Sequence, residues 1–165
     1  MALDRPRCAA SDRGTWTFTP PRGYVITRRT NDKKMPTTSE AVTHGVRVAV
    51  SARYSPEHSD QTRRKWFFLY TIRITNEASR TVQLLNRHWI ITDANGEVEE
   101  VRGPGVVGQQ PVLKRGESFE YTSGCPLDTP FGSMQGSYEM QLEGGETFQA
   151  EVAGFALRER EDAIN

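Results

Sequence analysis

The sequence is poor in residues that build covalent or metal-centred chemistry. Its 165 residues include two cysteines, Cys8 and Cys125, and three histidines, His44, His58 and His88. Cys8 lies in a polar leading segment, so the two thiols do not read as a structural bridge, and isolated cysteines fit a reducing compartment. The histidines fall in different segments, and none has a second His, Cys or carboxylate at ligand spacing. A preformed His/Cys metal centre is therefore not expected, and no cofactor is implied. No apolar run reaches the roughly 18 residues of a membrane span. The N-terminus also lacks the apolar stretch of a secretory signal. Its Arg-rich character has a weak likeness to a transit peptide, but Asp4, Asp12, Asp32 and the Pro20–Pro21 pair oppose an amphipathic helix. The expectation is a cytoplasmic protein with no membrane partner.

Net charge is absent too, since 21 basic residues balance 21 acidic ones. The balance conceals a split: residues 1–34 carry a net +5 and residues 35–165 a net −5. An acidic body does not attract nucleic acid. The chain length suits one domain, whose core needs no disulfide or metal staple. Residues 1–39 lack a sustained period and read as a flexible N-terminal extension, with "YVITR" at 24–28 as a candidate short strand. Met35 offers a second start, which would make the preceding residues a gene-prediction artefact. Residues 40–158 read as the folded domain and 159–165 as a tail.

What the chain does have is alternation. In "HGVRVAVSARY", Val46, Val48, Val50, Ala52 and Tyr54 share one face, the pattern of a half-buried strand. "KWFFLYTIRITNE" places Trp66, Phe68, Tyr70, Ile72 and Ile74 on one side, and its first half is apolar on both sides, as in a central strand. "RTVQLLNRHWIIT" predicts a third long strand. "DANG" predicts a hairpin, and "EVEEV" its short partner strand. "VLKRGESFEYTS" reads as a turn and a strand. "GSMQGSYEMQL" turns Met134, Tyr138, Met140 and Leu142 inward, and "TFQAEVAGFAL" supplies a last strand through Phe148, Ala150 and Val152. No segment offers ten residues of helical apolar spacing. The expected fold class is all-β: an immunoglobulin-like or fibronectin type III-like β-sandwich of two antiparallel sheets, with a closed barrel as the competing architecture.

Gly103, Gly105 and Gly108 match Gly-x-Gly-x-x-Gly. A dinucleotide-binding loop of that form must open a helix whose N-terminal amides hold the pyrophosphate. Here "QQPVLKRGESF" follows, with Pro111 three residues past Gly108, and Pro104 removes an amide from the loop. The full dinucleotide reading fails. Two readings stay open: the glycines shape an anion-binding nest to which Arg102 adds charge, or they only let the backbone turn.

His88 faces opposite to Trp89, either as a partly buried hydrogen-bonding residue or as part of a surface site. Glu97, Glu99 and Glu100 form an acidic run without calcium-loop spacing, read as a weak hard-cation site or a solvated edge. Cys125 reads as a small apolar loop residue without an oriented base. Ser123, His88 and Asp128 have no parity or spacing that supports a triad. Phe67 and Leu69 on the second face are either covered or form a binding surface. The long segment 101–116 is the most exposed functional candidate, with His88, Gln109 and Gln110 as its interaction surface.

"QLLNRHWIITDANGEVEEVRGPGVVGQQPVL" at 83–113 and "GESFEYTSGCPLDTPFGSMQGSYEMQ" at 116–141 resemble the ApaG family of bacterial proteins. The resemblance covers about residues 40–158. It implies an immunoglobulin- or fibronectin-like sandwich with no established catalytic activity. It also implies a link to cobalt resistance and magnesium efflux, and kinship with eukaryotic domains suspected of binding proteins. The family's glycine motif falls on Gly103, Gly105 and Gly108, and Cys125 stands where the family often has a small polar residue. The expected function is a noncatalytic binding or regulatory module, with an unknown protein partner or a second copy of the chain. The alternatives are a weak sensor of pyrophosphate or dinucleoside polyphosphates, and a divalent-cation binder.

Overall fold

The computed structural model describes residues 37–159. The candidate strand at 24–28, Cys8 and the alternative start at Met35 lie outside the described residues. Among the described residues nine strands run β1 (Thr38–Thr43), β2 (Val46–Tyr54), β3 (Trp66–Asn76), β4 (Val82–Asp93), β5 (Val98–Pro104), β6 (Val112–Leu113), β7 (Ser118–Leu127), β8 (Phe131–Leu142) and β9 (Thr147–Arg158). They form two antiparallel sheets, ordered β1-β2-β3-β7 and β5-β4-β8-β9, with β6 paired to β4 in line with β5. The molecule is a sandwich, not a closed barrel.

The alternation read from β2, β3 and β8 is the alternation the core uses. Val46, Val48, Val50, Phe68, Tyr70, Ile72 and Ile74 from one sheet meet Val82, Leu84, Trp89, Ile91, Met134, Tyr138 and Met140 from the other. Trp89 is central: its ring meets Tyr70 at 5.6 Å, Tyr138 at 5.9 Å and Phe155 at 6.3 Å. Burying rings of this size contributes about 1.5–3 kcal/mol each.

Three features differ from the sequence reading. β1 begins at Thr38, inside the stretch assigned to the extension, because "TSEAVT" has too few apolar residues to announce a strand. β5 runs on through Gly103 and Pro104, residues that read as loop. β7 continues to Leu127, so Cys125 is not in a loop; it is a fully buried strand residue opposite Phe68. Phe67 is covered, but not by the other sheet. Its ring lies over Gly124, where a Cβ would stand 2.2 Å away, and against His58 of the 55–64 connection at 5.3 Å.

The edge between β1 and β9 is closed by side chains. Ser39 Oγ donates to the Ala153 carbonyl at 2.7 Å, and the Glu151 amide donates to Thr43 Oγ1 at 3.0 Å. On the opposite side, β5 and β7 are the edge strands of their sheets.

Candidate functional site

Irregularities in two strands position the site. A bulge at Leu85 breaks the pairing of β4 with β8. Val82 and Leu84 point inward before it, and Arg87, Trp89 and Ile91 take the inward row after it. His88 therefore faces out from the five-stranded sheet, opposite to Trp89, as its parity predicts. A second register shift, between Met134 and Gly136, lets β9 change its inward row from Val152 to Phe155.

Arg87 is paired across the strands with Gly103. The glycine leaves the guanidinium room: a Cβ there would stand 3.1 Å from Nη2. Nη1 reaches past it and donates to the Pro104 carbonyl at 2.9 Å and the Gly105 carbonyl at 2.8 Å. Arg87 thus clamps the end of β5 and the start of the glycine-rich turn. Its charge is also felt at the buried Tyr121–Tyr138 hydroxyl pair, where burial drives both phenols well above their usual range.

The glycine-rich turn is a tight hairpin. The amides of Val106 and Gln109 each donate to the other's carbonyl at 2.8 Å. The two residues between them, Val107 and Gly108, have φ of 44° and 75°, the sign required by a two-residue hairpin turn of type I′. Gly105 has φ of 59°, and a Cβ on it would meet the Gln109 carbonyl oxygen at 2.4 Å. Its amide donates to the Leu85 carbonyl at 2.8 Å, which also accepts from Gln110 Nε2 at 2.8 Å. The turn is thus riveted to the bulge of β4, and no helix follows it. The amides of Gly105, Val106 and Gln109 are engaged with backbone carbonyls, so a nest built from those three has no donors left for an anion. Gln110 is turned toward β4, whereas Gln109 is exposed and Val107 is 40% exposed at the tip.

On the outer face, His88 Nε2 lies 3.0 Å from Glu100 Oε2, and Arg102 Nη2 lies 3.3 Å from the same oxygen. His88 first and then Arg102 hold the Glu100 carboxyl below its usual range. Asn86 reaches Glu139, and Ser137 donates to Gln149 at 3.0 Å. Together Asn86, His88, Arg102, Pro104, Glu139 and Gln149 border an open depression of about 400 Å³, with Arg87 and Gly103 at its rim. The structure brings His88, Arg102 and Gly103 together there and places Gln109 and Gln110 on the adjoining turn. Sequence reasoning missed Asn86, Glu139 and Gln149, which lie on three different strands and are set side by side only by the register of β4, β8 and β9. It also missed Arg87, because the Leu85 bulge carries no local signature.

The other candidates do not assemble. His88 and Ser123 belong to different sheets, so no triad forms with Asp128. Asp128 has one buried carboxylate oxygen without a partner, and burial raises its carboxyl above the usual range. Ser55 Oγ lies 2.7 Å from His58 Nδ1, the separation of a nucleophile and base, but Ser55, which opens the 3₁₀ turn Pro56–His58, is 0% exposed. No substrate atom reaches it. Among the described residues, no three His, Cys, Asp or Glu side chains gather in a way that holds a metal ion.

A profile of the ApaG domain matches residues 56–142, and Protein ApaG of Beijerinckia indica subsp. indica is 53% identical over 116 residues, covering 70% of this chain and 89% of the relative. The chain belongs to the ApaG family. Protein ApaG of Bordetella pertussis is 54% identical over 110 residues, covering 67% of this chain and 84% of that one. A crystal structure from Bordetella pertussis described as an ApaA protein superposes with a TM-score of 0.69 at 47% identity, covering 77% of this chain and 98% of that one. The ApaG-domain match spans β3 to β8 and so includes Arg87, His88, Arg102, the glycine-rich turn and Glu139. Gln149 and the closing strand β9 lie beyond it.

Proposed function

We propose that this ApaG-family chain is a noncatalytic binding module that engages a protein partner through the outer face of its five-stranded sheet and the adjoining glycine-rich turn. The observation that carries this reading is the depression bordered by Asn86, His88, Arg102, Pro104, Glu139 and Gln149. It is open, mixed in charge and set on rigid strands. Beside it, the clamped turn holds Val107 out at its tip. Rigid strands that present polar side chains and an apolar tip suit recognition, because little ordering entropy is lost on binding. The immunoglobulin-like or fibronectin type III-like comparison belongs to the same reading, as such sandwiches present sheet faces and end loops. A link to cobalt and magnesium homeostasis then runs through the partner, within a cytoplasmic setting.

A second reading has one observation in its favour. Arg87 and Arg102 both line the depression, so a weak pyrophosphate or dinucleoside polyphosphate contact would be made by guanidinium groups rather than by the engaged amides of Gly105, Val106 and Gln109.

The test is saturable retention of a cellular protein on the immobilised full chain, compared with the His88→Ala/Gln149→Ala double variant. The expected result is retention by the native chain that falls at least about tenfold in the variant, as for the loss of contacts worth about 1.4 kcal/mol. Equal retention by both would overturn the reading.

A further inference from the structure

From the edge of the five-stranded sheet, where no second described strand pairs with β5, we infer that the chain self-associates by antiparallel pairing of β5 with β5 of a second copy, in a register centred on Val101. This inference does not rest on the protein partner proposed above.

The hydrogen-bonding direction of β5 follows from its two ends. The Asp93 amide donates to the Glu97 carbonyl, and the Gly105 amide donates to the Leu85 carbonyl. Between these points the register runs unbroken from Thr92 opposite Val98 to Asn86 opposite Pro104. Alternation along an antiparallel pair then aims the backbone groups of Glu99, Val101 and Gly103 at β4. Those of Val98, Glu100 and Arg102 aim away from the sheet. Pro104 ends the free stretch, having no N–H and a carbonyl already held by Arg87.

Charge selects the register. Pairing centred on residue 100 places Glu100 opposite its own copy, and pairing centred on residue 102 does the same to Arg102. Like charges directly opposite are destabilising. Centred on Val101, Glu100 faces Arg102 of the second copy and Arg102 faces its Glu100. The outward backbone groups of these residues meet as hydrogen-bonded pairs. The pairing is isologous, as a two-fold axis requires. Glu100 and Arg102 are 54% and 69% exposed and share the outer face. On the inner face, Glu99 falls opposite Gly103 of the second copy, the residue beneath which Arg87 lies. One short strand makes a small interface, so the association is weak and concentration-dependent.

Sedimentation equilibrium of the full chain tests this at low salt, from about 10 μM to about 1 mM, the range of weak interfaces. The expected mass rises from 18.6 kDa toward twice that value. Glu100→Arg and Arg102→Glu each place like charges opposite one another and weaken association at least about tenfold. An equimolar mixture of the two variants restores the complementary pairing and associates as a heterodimer, which a misfolded variant cannot do. A chain that stays monomeric throughout overturns the inference. So do variants that associate like the native chain, and so does a mixture that stays monomeric when the native chain does not.

Discussion

Val107 shows most directly how the turn is set against its residue preferences. A β-branched side chain at positive φ is sterically disfavoured. Yet Val107 has φ of 44° and is only partly covered. Strain of this kind costs about 1–3 kcal/mol and persists where the surroundings enforce it. Here the enforcing contacts are the Val106–Gln109 hydrogen bonds and the buried side chain of Val106. Val107→Asn gives the Asn-Gly pair that a type I′ turn favours. Urea unfolding of this variant is expected to show a gain of about 1 kcal/mol. An unchanged or lowered midpoint at constant m-value would mean that the turn is not strained at this residue. The same position illustrates what was legible at this scale. The glycines were readable as turn formers, because Pro104 and Pro111 leave no room for a helix. The reach of Arg87 over Gly103 was not, since it depends on which residue of a different strand lies opposite.

At the scale of strands, the two sheets are joined by more than apolar contact. Tyr121 of β7 and Tyr138 of β8 share a hydroxyl–hydroxyl hydrogen bond in the core. Removing one hydroxyl leaves the other buried without its partner. Tyr138→Phe is therefore expected to cost about 1–2 kcal/mol, while Tyr121→Phe/Tyr138→Phe costs little more than either single change. Costs that simply add in denaturant unfolding would show that the two hydroxyls do not depend on each other. Strands with clean alternation, β2, β3 and β8, were legible because one face is apolar throughout. β1 was not, because Ala41 and Val42 are its only aliphatic residues. β4 and β9 were legible as strands but not in their full inward rows. Each changes parity at an irregularity, and a pattern of period two cannot locate an extra residue.

Over the whole molecule, the sandwich is asymmetric. One edge is sealed by the Ser39 and Thr43 side chains against β9, and the opposite side leaves β5 as a sheet edge. The outer-face depression and the glycine-rich turn both adjoin β5. An open edge is a liability that natural sheets blunt with charge and proline. Glu99, Glu100, Arg102 and Pro104 occupy that edge, and their order permits one complementary self-pairing while opposing its neighbours in register. The fold class was readable from the number and spacing of alternating segments. The site was readable only in part: His88, Arg102 and the turn stand out in the sequence, while Asn86, Glu139 and Gln149 become neighbours only once the strands are in register.

The proposed recognition of a protein partner falls on this side of the molecule. Amide chemical shifts of the isotope-labelled full chain, followed during titration with the protein retained on the immobilised chain, test it most directly. Shifts are expected to concentrate at residues 86–88, 100–110 and 135–139, with the outer face of the β1-β2-β3-β7 sheet unchanged. Saturable shifts confined to that other sheet, with residues 86–110 silent, would contradict it.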